Sequence, residues 1–412
     1  MQELKLTGSQ EQILHDQVID ANQPGSILRD FQMLLDFVGT EGVKAAGKYN
    51  LLPIEAIPEL NRRLSRPLVW NLQRPQLRSH PYLQGLHLLL RASGLSRVEG
   101  AGAEARLRLE AQALESWRRL NACEQYFTLL EAWLLIARPE MAGERAGRGD
   151  IPLGDAILTW RGIPARGVKF AVGQPQDLYH YGLGGRRYHA ALMDLFGLLA
   201  LEHPRQAVQP WHPAGVKRVP FGDAVLTLLG EWYWGDEGFV RLLHEGASTG
   251  AIHFGRWQEL FQPYFPKWRE NLVLPEIEVC KDIFLFCVSL GKIWRRIAIA
   301  GDSVLDRLAR AILDSVRFDD DHLYEFTYVN RLGAPERVHH PFCEEGPCTD
   351  EVRVGELPLQ PGQSMTFLFD FGDAWRFDVQ LEGIEPRGKG RKLPRIVEKH
   401  GKSPEQYPDA EW

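Results

Sequence analysis

The segment MTFLFDFGDAWRFDVQL, residues 365–381, has the most regular pattern in the chain. Its apolar residues recur every second position, which is the period of side chains on one face of a β-strand. Gly372 and Asp373 lie between the two runs, where glycine tolerates a positive φ and aspartate bonds the local backbone. The pattern predicts a hairpin with one buried aromatic face, in which Trp375 is structural. The residues of that face are Met365, Phe367, Phe369 and Phe371 on the first strand, and Trp375, Phe377, Val379 and Leu381 on the second.

The residues before this hairpin predict the rest of a C-terminal domain. DIFLFCVSL (282–290) and IAIAG (297–301) read as a strand pair, residues 303–318 as a helix, and 322–329 as a further strand, followed by a loop to about residue 363. Two strands, a helix and further strands predict an α+β sandwich with the helix on one sheet face, reminiscent of a β-grasp.

This part of the chain resembles the plasmid pRiA4b ORF-3-like family. The resemblance rests on the turn DFGDAW (370–375), on WRRIAIAG (294–301) and DDHLYEF (320–326), and on PRIVEKHGKSPEQYP (394–408). It implies bacterial proteins linked to plasmids or mobile elements, without a defined activity. Many relatives carry histidine where this chain has Phe377, so no metal site is carried over to that position. The family hallmark residues are Trp294, Arg295, Asp321, His322, Asp370, Gly372, Asp373 and Trp375.

Composition places the chain among ordinary soluble proteins. Of its 412 residues, 44% are hydrophobic and 25% charged, and the formal net charge is −6. No apolar run reaches the ~18 residues of a membrane span, and the N-terminus lacks a signal-peptide core. Five cysteines spread over a long chain do not suggest a disulfide framework. We therefore expect a cytoplasmic protein with reduced thiols and no membrane partner.

The charge is unevenly distributed. Residues 39–120 hold thirteen Lys or Arg and seven Glu, a formal +6, which leaves −12 on the remainder. The pattern from 26 to 120 reads as helix, turn, helix, helix, hairpin and helix, the order of a winged helix, whose third helix usually enters the major groove. This predicts DNA contacts. The alternative is a helical protein-interaction domain with solvated arginines. The candidate DNA contacts are Arg74, Arg78, His80, Arg91, Arg97, Arg106 and Arg108.

The middle of the chain, to about residue 275, reads mainly as packed helices. We therefore expect the fold class α+β: a helix-rich N-terminal part with a winged-helix-like order of elements precedes the C-terminal sandwich. We expect three domains, at 1–120, 121–277 and 278–412.

Two side-chain groups could carry chemistry. The first group consists of carboxylates and a histidine that follow the 303–318 helix or surround the hairpin turn. If strand pairing brings them together, their oxygen atoms could bind a hard divalent ion. The alternative is that they hold the turn through hydrogen bonds. The loop HHPFCEEGPC (339–348) has atoms suited to zinc, or is simply exposed. The two groups are Asp319, Asp320, Asp321, His322, Glu325, Asp370, Asp373 and Asp378, and His339, His340, Cys343 and Cys348.

Three other motifs give little information about function. Asp370-Phe371-Gly372 lacks the accompanying kinase motifs, and the glycine strings at 182–185 and 387–392 lack a phosphate cradle's strand and helix. We expect Trp294 in the core with Arg295 and Arg296 outward. No nucleophile motif is present. The sequence therefore favours a non-enzymatic binding protein without a cofactor, associated with DNA or with another protein; a metal-dependent enzyme using the acidic group is the alternative.

Overall fold

The computed structural model describes residues 5–69, 76–145, 152–171, 175–204, 211–235, 252–343, 346–388 and 392–407. Two compact units divide the chain. The described part of the first lies in 5–98, 106–235 and 252–275, and that of the second in 99–105 and from 276 onward. Both predicted segments 1–120 and 121–277 thus contribute to the first unit. The division into three domains stays a prediction about autonomous folding.

The second unit is built on a seven-stranded antiparallel sheet, as an α+β domain. Its strand order is β10-β9-β11-β12-β7-β8-β13. The predicted hairpin forms its centre, with Phe367 opposite Phe377 and Phe369 opposite Trp375. The strands are β7 Ile283–Leu290, β8 Ile293–Ala300, β9 Tyr324–Val329, β10 Pro335–His339, β11 Ser364–Phe369, β12 Trp375–Glu385 and β13 Arg395–His400.

One helix of this unit, Leu305–Val316, packs into the same core as the sheet. Its apolar residues recur every three or four positions, the spacing of one helix face. Leu305, Leu308, Ile312 and Val316 are all buried beside the aromatic face of the hairpin. Arg317 ends the helix in the left-handed conformation. The expected helix on one sheet face is confirmed.

The first unit is mainly helical, with two small sheets of strand order β1-β3-β2 and β4-β6-β5. Its strands are β1 Val43–Lys44, β2 Ser96–Glu99, β3 Arg106–Leu109, β4 Val168–Lys169, β5 Leu199–Glu202 and β6 Gly215–Arg218. Its helices are α1 Gly8–Asp16, α2 Ile27–Val38, α3 Ile57–Arg63, α4 Pro81–Ala92, α5 Ala111–Arg119, α6 Ala122–Glu131, α7 Pro152–Gly162, α8 Pro175–His180, α9 Arg187–Leu195, α10 Pro220–Trp234 and α11 Gln258–Phe261; the helix of the second unit is α12.

Helix α4 is the most buried element of the first unit. All twelve of its residues, including His87 and Arg91, are buried. A helix that is buried on every side belongs to the core of its unit. The elements around it follow the order on which the winged-helix prediction rests, but α4 exposes no face that could lie in a DNA groove. The structure does not establish the winged-helix class.

Five strands and one aromatic residue differ from the sequence-based expectation. β4, β5 and β6 lie in the region expected to be packed helices. β10 lies in the segment expected to be a loop, and β13 in a segment given no secondary structure. Phe371 was expected on the buried face, but it lies in the turn and is 50% exposed. The five cysteines are free. Among the helices described, none has both the length and the apolar character needed to cross a membrane.

Candidate functional site

Several hallmark residues of the second unit lie at or beside the turn between β11 and β12. Asp370 and Ala374 have positive φ values of 56° and 54° there. The Asp370 carboxylate accepts hydrogen bonds from the backbone N–H groups of Gly372 (2.8 Å) and Asp373 (3.4 Å). Gly372 and Asp373 were expected to supply the positive φ and the side-chain bond, but Asp370 supplies both. An aspartate can do this because its short side chain bonds its own turn and tolerates the left-handed region.

His322 links this turn to the segment before β9. Its Nδ1 lies 2.9 Å from Asp321 Oδ1, and its Nε2 lies 3.6 Å from Asp370 Oδ2. The bond to Asp321 raises the pKa of His322, against desolvation and with a further contribution from the charges of Asp370 and Asp373. The His322 ring therefore lies between two carboxylates that favour its protonated form.

The C-terminal tail completes this cluster. The Tyr407 hydroxyl donates to Asp321, with distances of 2.7 and 2.9 Å to its two oxygens. Desolvation opposes ionisation of Asp321, but the bonds from Tyr407 and His322 outweigh it and lower the pKa of Asp321. Desolvation and the bond to Asp321 raise the pKa of Tyr407 to about 12. We call Asp321, His322, Asp370 and Tyr407 the tail clasp.

Gln406 and Arg295 hold the tail on either side of the clasp. Gln406 Oε1 accepts the N–H of Asp319 at 2.6 Å. The Arg295 side chain, 3% exposed, donates to the carbonyls of Ser315 (2.9 Å) and His400 (2.7 Å) and to Ser403 Oγ (3.0 Å). It joins the end of α12 to the chain after β13.

The expectation that Trp294 is in the core and Arg295 faces outward is wrong. Arg295 lies on the same strand face as Ile297 and Ile299, both buried in the sheet–helix core. Trp294 is partly exposed and stacks on His400, with ring centroids 5.7 Å apart. Arg296 does face outward, where it pairs with Glu382 and Glu398.

Trp375 packs against Phe318 with ring centroids 4.9 Å apart and borders the apolar core. Its indole N–H is buried and has no acceptor in the described part of the chain. These contacts are those of the structural residue that the sequence predicts.

The acidic group is only partly assembled. Asp320 pairs with Arg310, and Glu325 faces Arg337 and His339 on the sheet, away from the clasp residues. Asp378 lies on β12 opposite Ser289 and Thr366. Within the described ranges, no group of three or more His, Cys, Asp and Glu side chains is arranged to hold a metal ion. The hydrogen-bonding interpretation of the turn agrees with these contacts.

The proposed zinc ligands are likewise not arranged as a metal-binding group within the described ranges. His339 Nδ1 faces Glu325 at 3.7 Å, and Cys348 Sγ faces the carbonyl of Cys343 at 3.7 Å. His340 Nδ1 accepts the N–H of Phe342. These side chains bond within their own segment and to β9.

The residues predicted to contact DNA differ widely in their exposure to solvent. Arg91 is 2% exposed and His80 is buried, so neither is available to a phosphate in this conformation. Arg78 is exposed. Arg97 is exposed and pairs with Glu110. Arg74 lies outside the described residues.

Arg106 and Arg108 support the small β1-β3-β2 sheet. Arg106 donates to the carbonyls of Glu41 and Gly42, and Arg108 to that of Thr40. Both side chains therefore have a structural role whether or not they also reach a partner.

The matches to known proteins cover less than a third of the chain. No curated protein matches the chain. A crystal structure of a protein of unknown function from Methanosarcina mazei Go1 matches with 26% identity, covering 29% of this chain and 69% of that one, with a TM-score of 0.27. The family described as plasmid pRiA4b ORF-3-like protein matches residues 288–407. That range contains the tail clasp, Arg295 and Trp375, so the resemblance of the C-terminal segment to the plasmid pRiA4b ORF-3-like family is confirmed over these residues.

Proposed function

We propose that the chain is a non-enzymatic binding protein whose basic segment, residues 39–120, contacts DNA. The observation that carries the proposal is the formal +6 charge of this segment on a chain of net −6. Clustered Lys and Arg neutralise phosphates and supply the sequence-independent part of DNA affinity.

The exposure of these cations supports the proposal. Of the twelve Lys and Arg that the structure describes in this segment, ten are exposed. They are Lys44, Lys48, Arg62, Arg63, Arg66, Arg78, Arg97, Arg106, Arg118 and Arg119.

The buried α4 changes the expected mode of contact. Because Arg91 and the rest of α4 are inaccessible, we propose phosphate contacts from the surrounding loops and strands instead of a helix in the major groove. Such contacts give affinity and little sequence discrimination. The linkage of the family to plasmids and mobile elements is consistent with a DNA partner.

The test is a salt titration of the full-length protein with a labelled duplex. Each lost phosphate contact should reduce the slope of log affinity against log salt by about 0.9. The combined variant Lys44→Gln, Lys48→Gln and Arg62→Gln should therefore show a flatter slope. These residues suit the test better than Arg106 and Arg108, whose removal would also free the backbone carbonyls of residues 40–42.

The matched control is Lys399→Gln with Lys402→Gln, which removes exposed charge from the second unit. It should leave the slope close to that of the unmodified protein. If the unmodified protein shows no salt-sensitive binding to any duplex, the DNA proposal is wrong, and a protein-interaction role becomes the leading one.

A further inference from the structure

Four polar side chains from separate segments of the first unit meet in one hydrogen-bonded network. Arg66 follows α3, Tyr82 lies in the first turn of α4, Asp194 on α9, and His203 directly after β5. Arg66 Nη1 lies 2.6 and 2.5 Å from the two oxygens of Asp194. The Tyr82 hydroxyl lies 2.8 Å from Asp194 Oδ2 and 2.8 Å from His203 Nε2. No motif in the sequence marks these residues.

The hydrogen-bond directions follow from the chemistry of the groups. As a carboxylate, Asp194 accepts from Arg66, from Tyr82 and from the N–H of Leu201 at 3.0 Å. Tyr82 has a single hydroxyl hydrogen, which it gives to Asp194. The Nε2 of His203 must therefore donate to the Tyr82 oxygen, which fixes the tautomer of a neutral ring and leaves Nδ1 as its acceptor.

Two side chains of this network are buried and two are exposed. The Asp194 side chain is 1% exposed and Tyr82 is fully buried. The Arg66 side chain is 48% exposed, and His203 is exposed. Arg66 uses only Nη1 to bond Asp194, so the rest of its guanidinium fork remains for another group. The buried pair thus holds an arginine and a histidine at the surface in fixed orientations.

We propose that Arg66 and His203 bind a phosphate-class oxyanion at the surface of the first unit. The arginine fork matches the planar, bidentate geometry of phosphate and sulfate oxygens. The imidazole adds a second donor once Nδ1 takes a proton. Trp211 packs edge-on against Tyr82, with ring centroids 6.2 Å apart, so an apolar ring borders the buried Tyr82. The inference does not depend on the DNA proposal.

Protonation of His203 is the distinguishing property of such a site. Desolvation lowers the pKa of His203, opposed by the charge of Asp194 and reinforced by that of Arg66. This shift favours the neutral ring, so binding that uses both ring nitrogens as donors is coupled to uptake of a proton by His203. If binding requires the protonated ring, affinity should fall by about tenfold for each pH unit above the pKa of His203 in the free protein.

Calorimetry of the full-length protein with sodium sulfate tests this coupling, because sulfate keeps one charge state across the range. At constant ionic strength, sulfate should bind about tenfold or more tightly at about pH 5.5 than at about pH 8. His203→Ala should abolish most of this pH dependence, and Arg66→Lys should weaken binding at both pH values. Tyr82→Phe keeps the ring but frees His203, and should also reduce the pH dependence.

The matched control is Lys267→Gln, an exposed cation of the same unit outside the basic segment, which should bind sulfate as the unmodified protein does. Circular dichroism confirms that each variant is folded. Absence of sulfate binding at about pH 5.5 would overturn the proposal. Equal binding by folded His203→Ala would also overturn it.

Inorganic phosphate and a short DNA duplex identify the source of the anion. If His203→Ala weakens both, the site receives phosphates of the nucleic-acid backbone. If it weakens phosphate binding alone, the ligand is a free phosphate or phosphate ester. Loss of the DNA proposal would leave the sulfate and phosphate results unaffected, so the two proposals can fail separately.

Discussion

Two regions of this molecule bring together an aspartate, a histidine and a tyrosine, but with opposite electrostatic results. In the tail clasp, His322 bonds directly to Asp321, which is 47% exposed, and the pKa of His322 rises. In the Arg66 network, the carboxylate is buried, His203 bonds to the phenol, and the pKa of His203 falls. The same residue types thus stabilise a charged imidazole in one place and a neutral one in the other. The sign depends on which effect is larger: desolvation lowers the pKa of His203 despite the charge of Asp194, whereas the direct bond to Asp321 raises the pKa of His322 despite desolvation.

The largest contrast between the two regions is expected on removal of the carboxylate. Asp194→Ala should lower the free energy of unfolding by about 2–4 kcal/mol, less than for a fully buried pair because Arg66 is half-exposed. It leaves Tyr82, Arg66 and the N–H of Leu201 without their acceptor. Denaturant unfolding measures the change.

Asp321→Ala is the control for that comparison. Its partners are exposed and find water, so its effect should stay below about 1 kcal/mol. Equal losses in the two variants would show that burial does not separate the regions.

A smaller effect is expected from removing the buried phenol oxygen. Tyr82→Phe keeps the aromatic packing but loses the bonds to Asp194 and His203, at a cost of about 1–2 kcal/mol in the free energy of unfolding. In nuclear magnetic resonance titrations, the His203 ring should lose its fixed tautomer while the His322 signals stay unchanged. A change at His322 would contradict the independence of the two regions.

The sequence predicted the period-two elements well and the polar residues poorly. Phe367 and Phe377 were placed correctly because aromatic alternation marks the inner face of a strand pair. The same two-residue period, counted back from Ile299 and Ile297, places Arg295 on the buried face of β8. Its charge suggested the exposed face instead, and that expectation was wrong. Arg91 was likewise expected at the surface, but α4 is buried on every side.

The Arg66 network could not have been predicted from the sequence in this way. Arg66, Tyr82, Asp194 and His203 are separated by more than a hundred residues across their long-range bonds and follow no shared spacing. Only tertiary packing brings them together. The tail clasp was easier to anticipate, because Asp321, His322 and Asp370 flank strands that pair in the sheet.

The two histidines should also give opposite dependences of stability on pH. The raised pKa of His322 contributes stability that is fully present below the unfolded value, near 6.5, and is lost as pH rises through the folded pKa. The lowered pKa of His203 contributes a penalty that grows as pH falls below about 6.5, because the unfolded chain takes up the proton first.

Unfolding at two pH values separates these contributions. His322→Gln should lose stability at about pH 5.5 and little at about pH 8.5, whereas His203→Gln should gain relative stability at about pH 5.5. Parallel pH profiles for the two variants would show that the two rings share one electrostatic environment.

The smallest expected effect is local to the C-terminal tail. Tyr407→Phe removes the hydroxyl bonds to Asp321 and should cost less than about 1 kcal/mol, because both groups are exposed. Arg295 still holds the chain at His400 and Ser403. Amide hydrogen exchange should therefore accelerate after Ser403, while β13 keeps the rate of the unmodified protein. Faster exchange throughout β13 would mean that Tyr407, and not Arg295, fixes this edge strand of the sheet. Unchanged exchange at every amide, including that of Gln406, would mean that the tail clasp contributes nothing to holding the tail.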